Sequence, residues 1–218
     1  MRRDDELLIH IKQNHDIVVE NIENGVVSCK TISPDVLVDC VAQSLRNNTI
    51  SSGVLPEGSF SYASGDDFQN VFIEFPERFC DIVYETTEYK HFPLPRLLFG
   101  FQVSSDNRIK RVQLAVADTG RLTPKTKMFI YPFSNVNGFG LCCGANRLPP
   151  IKSLYQLTGV MYFILSMPNN NDHYRPSNTY LELELRHLFE TLKDKSPDYY
   201  YSNVLKESGK TVLDFITS

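Results

Sequence analysis

Short runs in which apolar and polar residues alternate recur as far as Tyr131 and predict a series of β-strands. Near the start of the chain, strands are predicted at residues 7–12, 17–20 and 26–31, with turns between them that form a meander. Asp106-Asn107 is expected to close a hairpin later in the chain. The further predicted strands are 71–75, 79–84, 96–104, 109–118 and 127–131.

Apolar residues at helical spacing predict three helices. The first begins at Ser33-Pro34-Asp35, where a hydroxyl cap precedes a proline and an acid, and its apolar stripe makes Cys40 an expected core residue. The second, 151–166, is so rich in apolar residues that we expect it to be largely buried. The third, 179–192, is amphipathic, and the apolar tail 204–216 is expected to pack back onto the body.

Apart from the first helix, the predicted strands precede the predicted helices. Residues 51–65 are rich in Ser and Gly and contain Pro56, which indicates a loop or linker with room for one edge strand. We therefore divide the chain into an N-terminal strand-helix extension, residues 1–65, and a main domain, residues 66–218.

The composition argues against several classes of protein. The 218 residues suffice for one large domain, and the net charge of -4, with Lys and Arg scattered singly, offers no basic stripe for nucleic acid. No apolar run approaches the roughly 20 residues of a membrane span. The chain has five cysteines, an odd number, and its N terminus turns acidic before any apolar run begins. We therefore expect a cytoplasmic protein with free thiols.

A glycine-rich stretch, 131–144, is the expected site of chemistry. It holds three glycines, too many for the interior of a regular element, and the adjacent thiols Cys142 and Cys143. A thiol on a loop beside a rigid scaffold is a candidate nucleophile. Most free cysteines are nevertheless small buried hydrophobic residues, so both interpretations stay open here.

Three other chemistries fit these residues poorly. Adjacent cysteines lack the spacing of a zinc site, and the histidines stand alone. The glycines lack the order of strand, glycine loop, lysine and helix that a nucleotide fold needs. A cysteine hydrolase requires a histidine base. His173 and His187 are candidates for that base, but their distance from the thiols in the sequence gives neither of them support. We expect no metal and no cofactor, and we keep a hydrolase with His173 as a third hypothesis.

A thiol with no obvious base but with nearby amides suits the transfer of an acyl group between thioesters. The thiolate then attacks a carbonyl that is already activated, so a histidine that removes its proton is not essential. The amide of Asn135 or Asn137 is a candidate donor to the oxyanion, a role worth about 2.7–4 kcal/mol in other enzymes.

These residues resemble the ubiquitin-conjugating enzyme superfamily, in which His-Pro-Asn and a short glycine-containing loop precede an aliphatic residue and the catalytic cysteine. They are more similar to the bacterial branch typified by the PRTRC system protein B family. The resemblance covers residues 71–178. It aligns Cys142 with the catalytic cysteine and Asn135 with the asparagine of the bacterial family. A shift of the alignment by one residue would make Cys143 the catalytic candidate instead. The matching stretches are Arg121-Leu122-Thr123-Pro124, Tyr131-Pro132-Phe133-Ser134-Asn135-Val136, Gly140-Leu141-Cys142-Cys143-Gly144, Tyr162-Phe163-Ile164-Leu165-Ser166 and Pro168-Asn169.

Two departures from the superfamily pattern bear on the site. Tyr131 and Phe133 stand where the eukaryotic triplet has histidine and asparagine, so the resemblance assigns the oxyanion role to Asn135 alone. The residues before Val71 exceed the minimal conjugating fold and are a candidate docking surface.

The resemblance implies both a fold and an activity. The fold would be a ubiquitin-conjugating α+β domain, with an antiparallel meander sheet packed against helices and preceded by an N-terminal α/β extension. Cys142 would accept a ubiquitin-like protein as a thioester from a ThiF-like adenylating activating enzyme and pass it to a target, and a JAB-type deconjugating peptidase is a further implied partner. The alternative is a catalytically inactive binding or scaffold module of the same fold in a bacterial mobile-element or defence system, because fold alone does not establish function.

Overall fold

A computed structural model of the chain describes residues 6–12, 16–23, 26–47, 52–65, 67–137, 140–142 and 148–218. The chain divides into two compact units, Met1–Ser51 and Ser52–Ser218. The strand Ser59–Ser64, which precedes the boundary drawn from the sequence at residue 65, pairs with a strand of the second unit.

The first unit contains an antiparallel meander followed by a helix, as predicted. Its strands pair in the order β1-β2-β3. The helix starts where the sequence places it, because the Ser33 hydroxyl accepts a hydrogen bond from the Val36 amide at 3.4 Å. The elements are β1 (Glu6–Ile11), β2 (Ile17–Glu23), β3 (Val26–Ile32) and α1 (Pro34–Asn47).

Many apolar side chains of the first unit are exposed. Leu7 in β1 is 62% exposed and Val38 in α1 is 65% exposed, whereas Ile17 is buried. Cys40 is also exposed, so the expectation that it is a core residue is wrong. Helical spacing identified an apolar stripe on α1, but spacing alone does not show whether another element covers that stripe.

An antiparallel sheet is the framework of the second unit. Its strands are β4 (Ser59–Ser64), β5 (Phe68–Phe75), β6 (Arg78–Tyr84), β7 (Thr87–Leu94), β8 (Leu97–Ser104), β9 (Ile109–Ala117), β10 (Lys127–Phe129) and β11 (Glu207–Thr211). Six of them form one sheet in the order β11-β10-β9-β8-β5-β4, and β6 and β7 form a separate hairpin. The edge strand foreseen within 51–65 is β4, whereas β7 was not predicted.

Helices supply the rest of the second unit and confirm the α+β class. They are α2 (Leu157–Ser166), α3 (Leu185–Leu192), α4 (Tyr199–Asn203) and α5 (Val212–Thr217), with short 3-10 turns at Leu154–Gln156 and Pro176–Asn178. The helix predicted over 179–192 begins only at Leu185, because Thr179 pairs with Leu205, the Tyr180 amide donates to the Val204 carbonyl at 2.9 Å, and Glu182 has a φ of 50°. None of the helices among the described residues has the length and apolar character to span a membrane.

The sheet of the second unit has a core on each face, because successive side chains of a strand point to opposite sides. Val71 and Ile73 of β5 belong to the larger core, to which α2, α3 and α4 contribute. Phe72, between them, belongs to the smaller core, which Val212 and Phe215 of α5 complete. The tail therefore packs back onto the body as predicted.

Candidate functional site

One edge of β9 holds both ends of the segment that carries Cys142. β10 occupies the first part of that edge. The chain then leaves the sheet and returns beside β9, where the Leu114 amide donates to the Gly140 carbonyl at 2.8 Å and the Cys142 amide donates to the Val112 carbonyl at 2.9 Å. We call residues 131–142 the thiol loop. Cys142 thus ends a loop whose two ends are fixed to one strand.

A small hairpin within the thiol loop positions Cys142. Val136 and Cys142 form an antiparallel bridge, and the Gly140 amide donates to the Asn137 carbonyl at 2.9 Å. The side-chain oxygen of Asn137 accepts a hydrogen bond from the Leu141 amide at 3.0 Å. Gly140 has a φ of 77°, in the left-handed region that favours glycine. One of the two amides proposed for the oxyanion, Asn137, therefore also closes the turn.

The start of the thiol loop is anchored by an aromatic side chain. Phe133 is buried, and its ring centroid lies 5.9 Å from Phe92 and 5.2 Å from Phe189. The Tyr131 ring lies 5.5 Å from Phe133 at an interplanar angle of 80°, an edge-on arrangement that aromatic rings favour. Phe133 thus fixes the loop to the core.

The middle of the thiol loop is joined to the segment that follows α2. The Ser134 hydroxyl, which is buried, donates to Asn169 Oδ1 at 2.8 Å and accepts from the Asn170 amide at 3.1 Å. Asn135 has a φ of 64°, and its Nδ2 donates to the Pro168 carbonyl at 3.1 Å. The amide predicted to bind the oxyanion is therefore held by Pro168 through one of its two N–H groups.

Asn169 in turn connects this region to the β6-β7 hairpin. Its backbone amide and its Nδ2 both donate to the Val83 carbonyl, at 2.8 Å and 3.1 Å, and its carbonyl accepts from the Glu85 amide at 2.7 Å. Two stretches that carry the family resemblance, 131–136 and 168–169, are thus brought together in space.

The thiol of Cys142 is enclosed. Cys142 is 8% exposed and belongs to the larger core. Burial, together with the negative charge of an ionised Cys142, raises the pKa of Tyr131, so its phenol stays protonated at physiological pH. Tyr131 is a neighbour of the thiol to which the sequence assigned no role. The signal that could have identified it is its place at the position of the triplet histidine.

The other residues considered from the sequence lie elsewhere or beyond the described chain. His173 is exposed in the loop after α2, and His187 is exposed on α3. Cys143 lies outside the described residues, so the choice between Cys142 and Cys143 stays a prediction. In the part of the chain that the structure describes, no three His, Cys, Asp or Glu side chains are grouped in a way that could hold a metal ion.

Comparison with known proteins identifies no relative of this chain. It matches no protein-family model, and neither a curated protein nor a solved structure matches it significantly. The α+β class is shared by many folds, so the function has to be inferred from the thiol loop and its contacts.

Proposed function

We propose that the chain is a conjugating-enzyme-like transferase that carries a ubiquitin-like protein on Cys142. The observation that supports this best is the junction between 131–136 and 168–169, formed by hydrogen bonds from Asn135 to Pro168 and from Ser134 to Asn169. These stretches lie more than thirty positions apart in the sequence, and the resemblance to conjugating enzymes drew on both. Their contact beside Cys142 is what a single site composed of both stretches requires.

The proposed step is the exchange of one thioester for another. The Cys142 thiolate attacks the carbonyl of a thioester that joins the ubiquitin-like protein to a ThiF-like adenylating enzyme. A carbon-sulfur bond to Cys142 forms, the bond to the activating enzyme breaks, and that enzyme's thiolate leaves. The second N–H of the Asn135 amide is the proposed donor to the tetrahedral oxyanion.

A second candidate function has its own support. Cys142 is 8% exposed and packs in the larger core, and a buried thiol in apolar surroundings is normally inert. The same domain would then be a binding or scaffold module that retains the loop without turnover. The enzyme hypothesis instead requires the hairpin to expose the thiol when the activating enzyme docks.

The decisive experiment is intact-protein mass spectrometry of the full chain with a ThiF-like adenylating enzyme, a ubiquitin-like protein and ATP. We expect an adduct that corresponds to the ubiquitin-like protein and that is released when a thiol reagent is added. It should be absent in Cys142→Ala and resistant to thiol in Cys142→Ser, where an oxygen ester replaces the thioester. Cys143→Ala and Cys80→Ala are the matched controls and should keep the adduct.

Each other outcome selects a different conclusion. An adduct that Cys143→Ala abolishes and Cys142→Ala leaves intact would move the nucleophile by one residue. No adduct, with Cys142 alkylated much more slowly than the exposed Cys29 and Cys40, would favour the binding module.

A further inference from the structure

A cavity of about 340 Å³ lies beside the thiol loop. Its walls come from β9, β10, β11, α5, the 3-10 turn Pro176–Asn178 and the hairpin of the thiol loop. Asn137 and Gly140 line it from the hairpin, whereas Cys142 packs in the larger core. The hairpin that carries Cys142 thus contributes to the cavity wall, while Cys142 itself does not line the cavity.

The size and lining of this cavity suit a small organic molecule. Its volume is at the lower end of the roughly 300–1,000 Å³ of ligand sites. Met128, Phe129 and Phe215 supply apolar and aromatic surface. Side-chain amides of Gln113 and Asn178 supply hydrogen-bonding groups among them, as in sites that orient a ligand by a few polar contacts.

The charged side chains that line the cavity are two cations and one carboxylate. Asp214 is its acidic side chain, and the Asp214 carboxylate already accepts hydrogen bonds from the Thr211 amide at 2.8 Å and the Thr211 hydroxyl at 2.7 Å. Arg175 and Lys210 also line the cavity, and among the described residues neither side chain forms an ion pair. Two cations beside apolar surface favour an anionic ligand.

Neighbouring lysines show that these two cations differ from their surroundings. Lys127 is paired with Glu207 at 2.8 Å, and Lys206 is paired with Glu182 at 2.9 Å. Ion pairs thus neutralise Lys127 and Lys206, which do not line the cavity, whereas Arg175 and Lys210 form no such pair among the described residues, although the charge of Lys210 acts on Asp214.

We propose that this cavity binds a small organic anion, with its apolar body against Phe129 and Phe215 and its charged group at Arg175 and Lys210. This site is distinct from the thioester chemistry and does not depend on it, because no step of the proposed transfer uses either cation. A carboxylate and a phosphate share the chemistry that the two cations recognise.

The test uses two probes of matched shape, 4-phenylbutyrate and its neutral alcohol, 4-phenylbutanol, titrated into the isotope-labelled full chain and followed by NMR. We expect the acid to bind about tenfold more tightly than the alcohol. The largest shifts should fall on the amides of 113–115 and 128–131. 4-Phenylbutyl phosphate should show the same preference if charge rather than carboxylate shape is recognised.

A double variant, Arg175→Gln with Lys210→Gln, should bring the affinity for the acid to that for the alcohol. The control, Lys30→Gln with Lys152→Gln, changes the net charge equally at two exposed residues that do not line the cavity and should preserve the preference. Equal binding of acid and alcohol by the wild-type chain would overturn the proposal, even if the double variant failed to fold. Shifts that map away from the cavity would overturn it as well.

Discussion

Asn169 is the residue whose side chain links the thiol loop to the β6-β7 hairpin. It is buried, and its amide group donates to Val83 while its oxygen accepts from Ser134. Asn169→Ala would leave both partners without this side chain, and a buried polar group left unsatisfied costs about 1–3 kcal/mol. We expect the free energy of unfolding, measured by urea denaturation, to fall by about 2 kcal/mol.

The neighbouring Asn170 provides the control for that variant. Its side chain forms exposed hydrogen bonds to Asp172, and the contact with Ser134 uses its backbone amide, which alanine retains. Asn170→Ala should change stability by no more than about 0.5 kcal/mol. Similar losses in the two variants would show that the link between Ser134 and Asn169 contributes little.

Gly140 and Gly159 should respond to alanine in opposite directions. Gly140 has a φ of 77° in the thiol-loop hairpin, where a residue with a Cβ costs about 1–2 kcal/mol, so Gly140→Ala should destabilise by that amount. Gly159 lies inside α2 with nothing within 4 Å of an added Cβ, so Gly159→Ala should stabilise by about 0.5–1 kcal/mol. Urea midpoints that move in the same direction for both variants would contradict the left-handed backbone conformation of Gly140 in the hairpin.

At the scale of elements, Arg96 joins β5, β8 and the loop after β9. Its guanidinium donates to Glu74 at 2.8 Å and to the carbonyls of Asp118 and Gly120 at 2.8 and 2.7 Å, and the arginine is buried. The Glu74 side chain is 28% exposed and can be hydrated when its partner is lost, so we expect Arg96→Ala to lower the unfolding free energy in chemical denaturation by about 1.5–3 kcal/mol, the range for hydrogen bonds to charged groups.

Arg108 gives the matched comparison for Arg96. It pairs with Asp106 at 3.2 Å, but both side chains are more than half exposed. Arg108→Ala should cost less than about 1 kcal/mol, because water and salt screen exposed pairs. A loss of stability as large as that of Arg96→Ala would mean that solvent exposure does not determine how much each of the two ion pairs contributes.

The elements that the sequence predicted well are those whose periodicity is local. The hairpin of β8 and β9 and the capped start of α1 follow from turn residues and alternation within a few positions. Residues 179–184 were predicted as helix but form a bridge followed by a turn, since pairing with the segment after α4 overrides the local pattern. β7 was missed because charged residues and Pro93 interrupt its alternation, and its pairing with β6 compensates.

The difference between local patterns and long-range contacts also decides what could be predicted of the candidate site. A glycine-rich turn that carries a thiol after a strand could be predicted, because those residues are adjacent in the chain. The hydrogen bond from Asn135 to Pro168 and the burial of Cys142 depend on contacts between distant segments. Local pattern contains no information about such contacts, so the sequence nominated the thiol without showing how enclosed it is.

At the scale of the whole molecule, the second unit has several buried or half-buried tyrosines that resist ionisation. Burial is the main cause that raises the pKa of Tyr89, Tyr174 and Tyr201 to about 12. These residues keep their protons in the folded state between about pH 10 and 12, whereas the unfolded chain loses them near its ordinary value of about 10. Stability should therefore be full below about pH 10 and fall as the pH rises toward 12.

Urea midpoints at pH 9 and pH 11 measure this alkaline loss. Tyr201→Phe removes one of the titrating groups and should reduce the difference between the two midpoints. Tyr155→Phe removes an exposed phenol and should leave the difference as in the wild-type chain. Midpoints that do not change between these pH values would contradict the assignment of the tyrosines.

The hairpin from Val136 to Cys142 is shared by two sites: Asn137 and Gly140 line the cavity, while Cys142 packs in the larger core. Linkage makes any coupling through such a shared element reciprocal. If an acyl group on Cys142 displaces the hairpin and weakens anion binding by some factor, the anion disfavours the acylated form by the same factor. The abundance of a small organic anion would then set the fraction of the protein that is loaded at equilibrium.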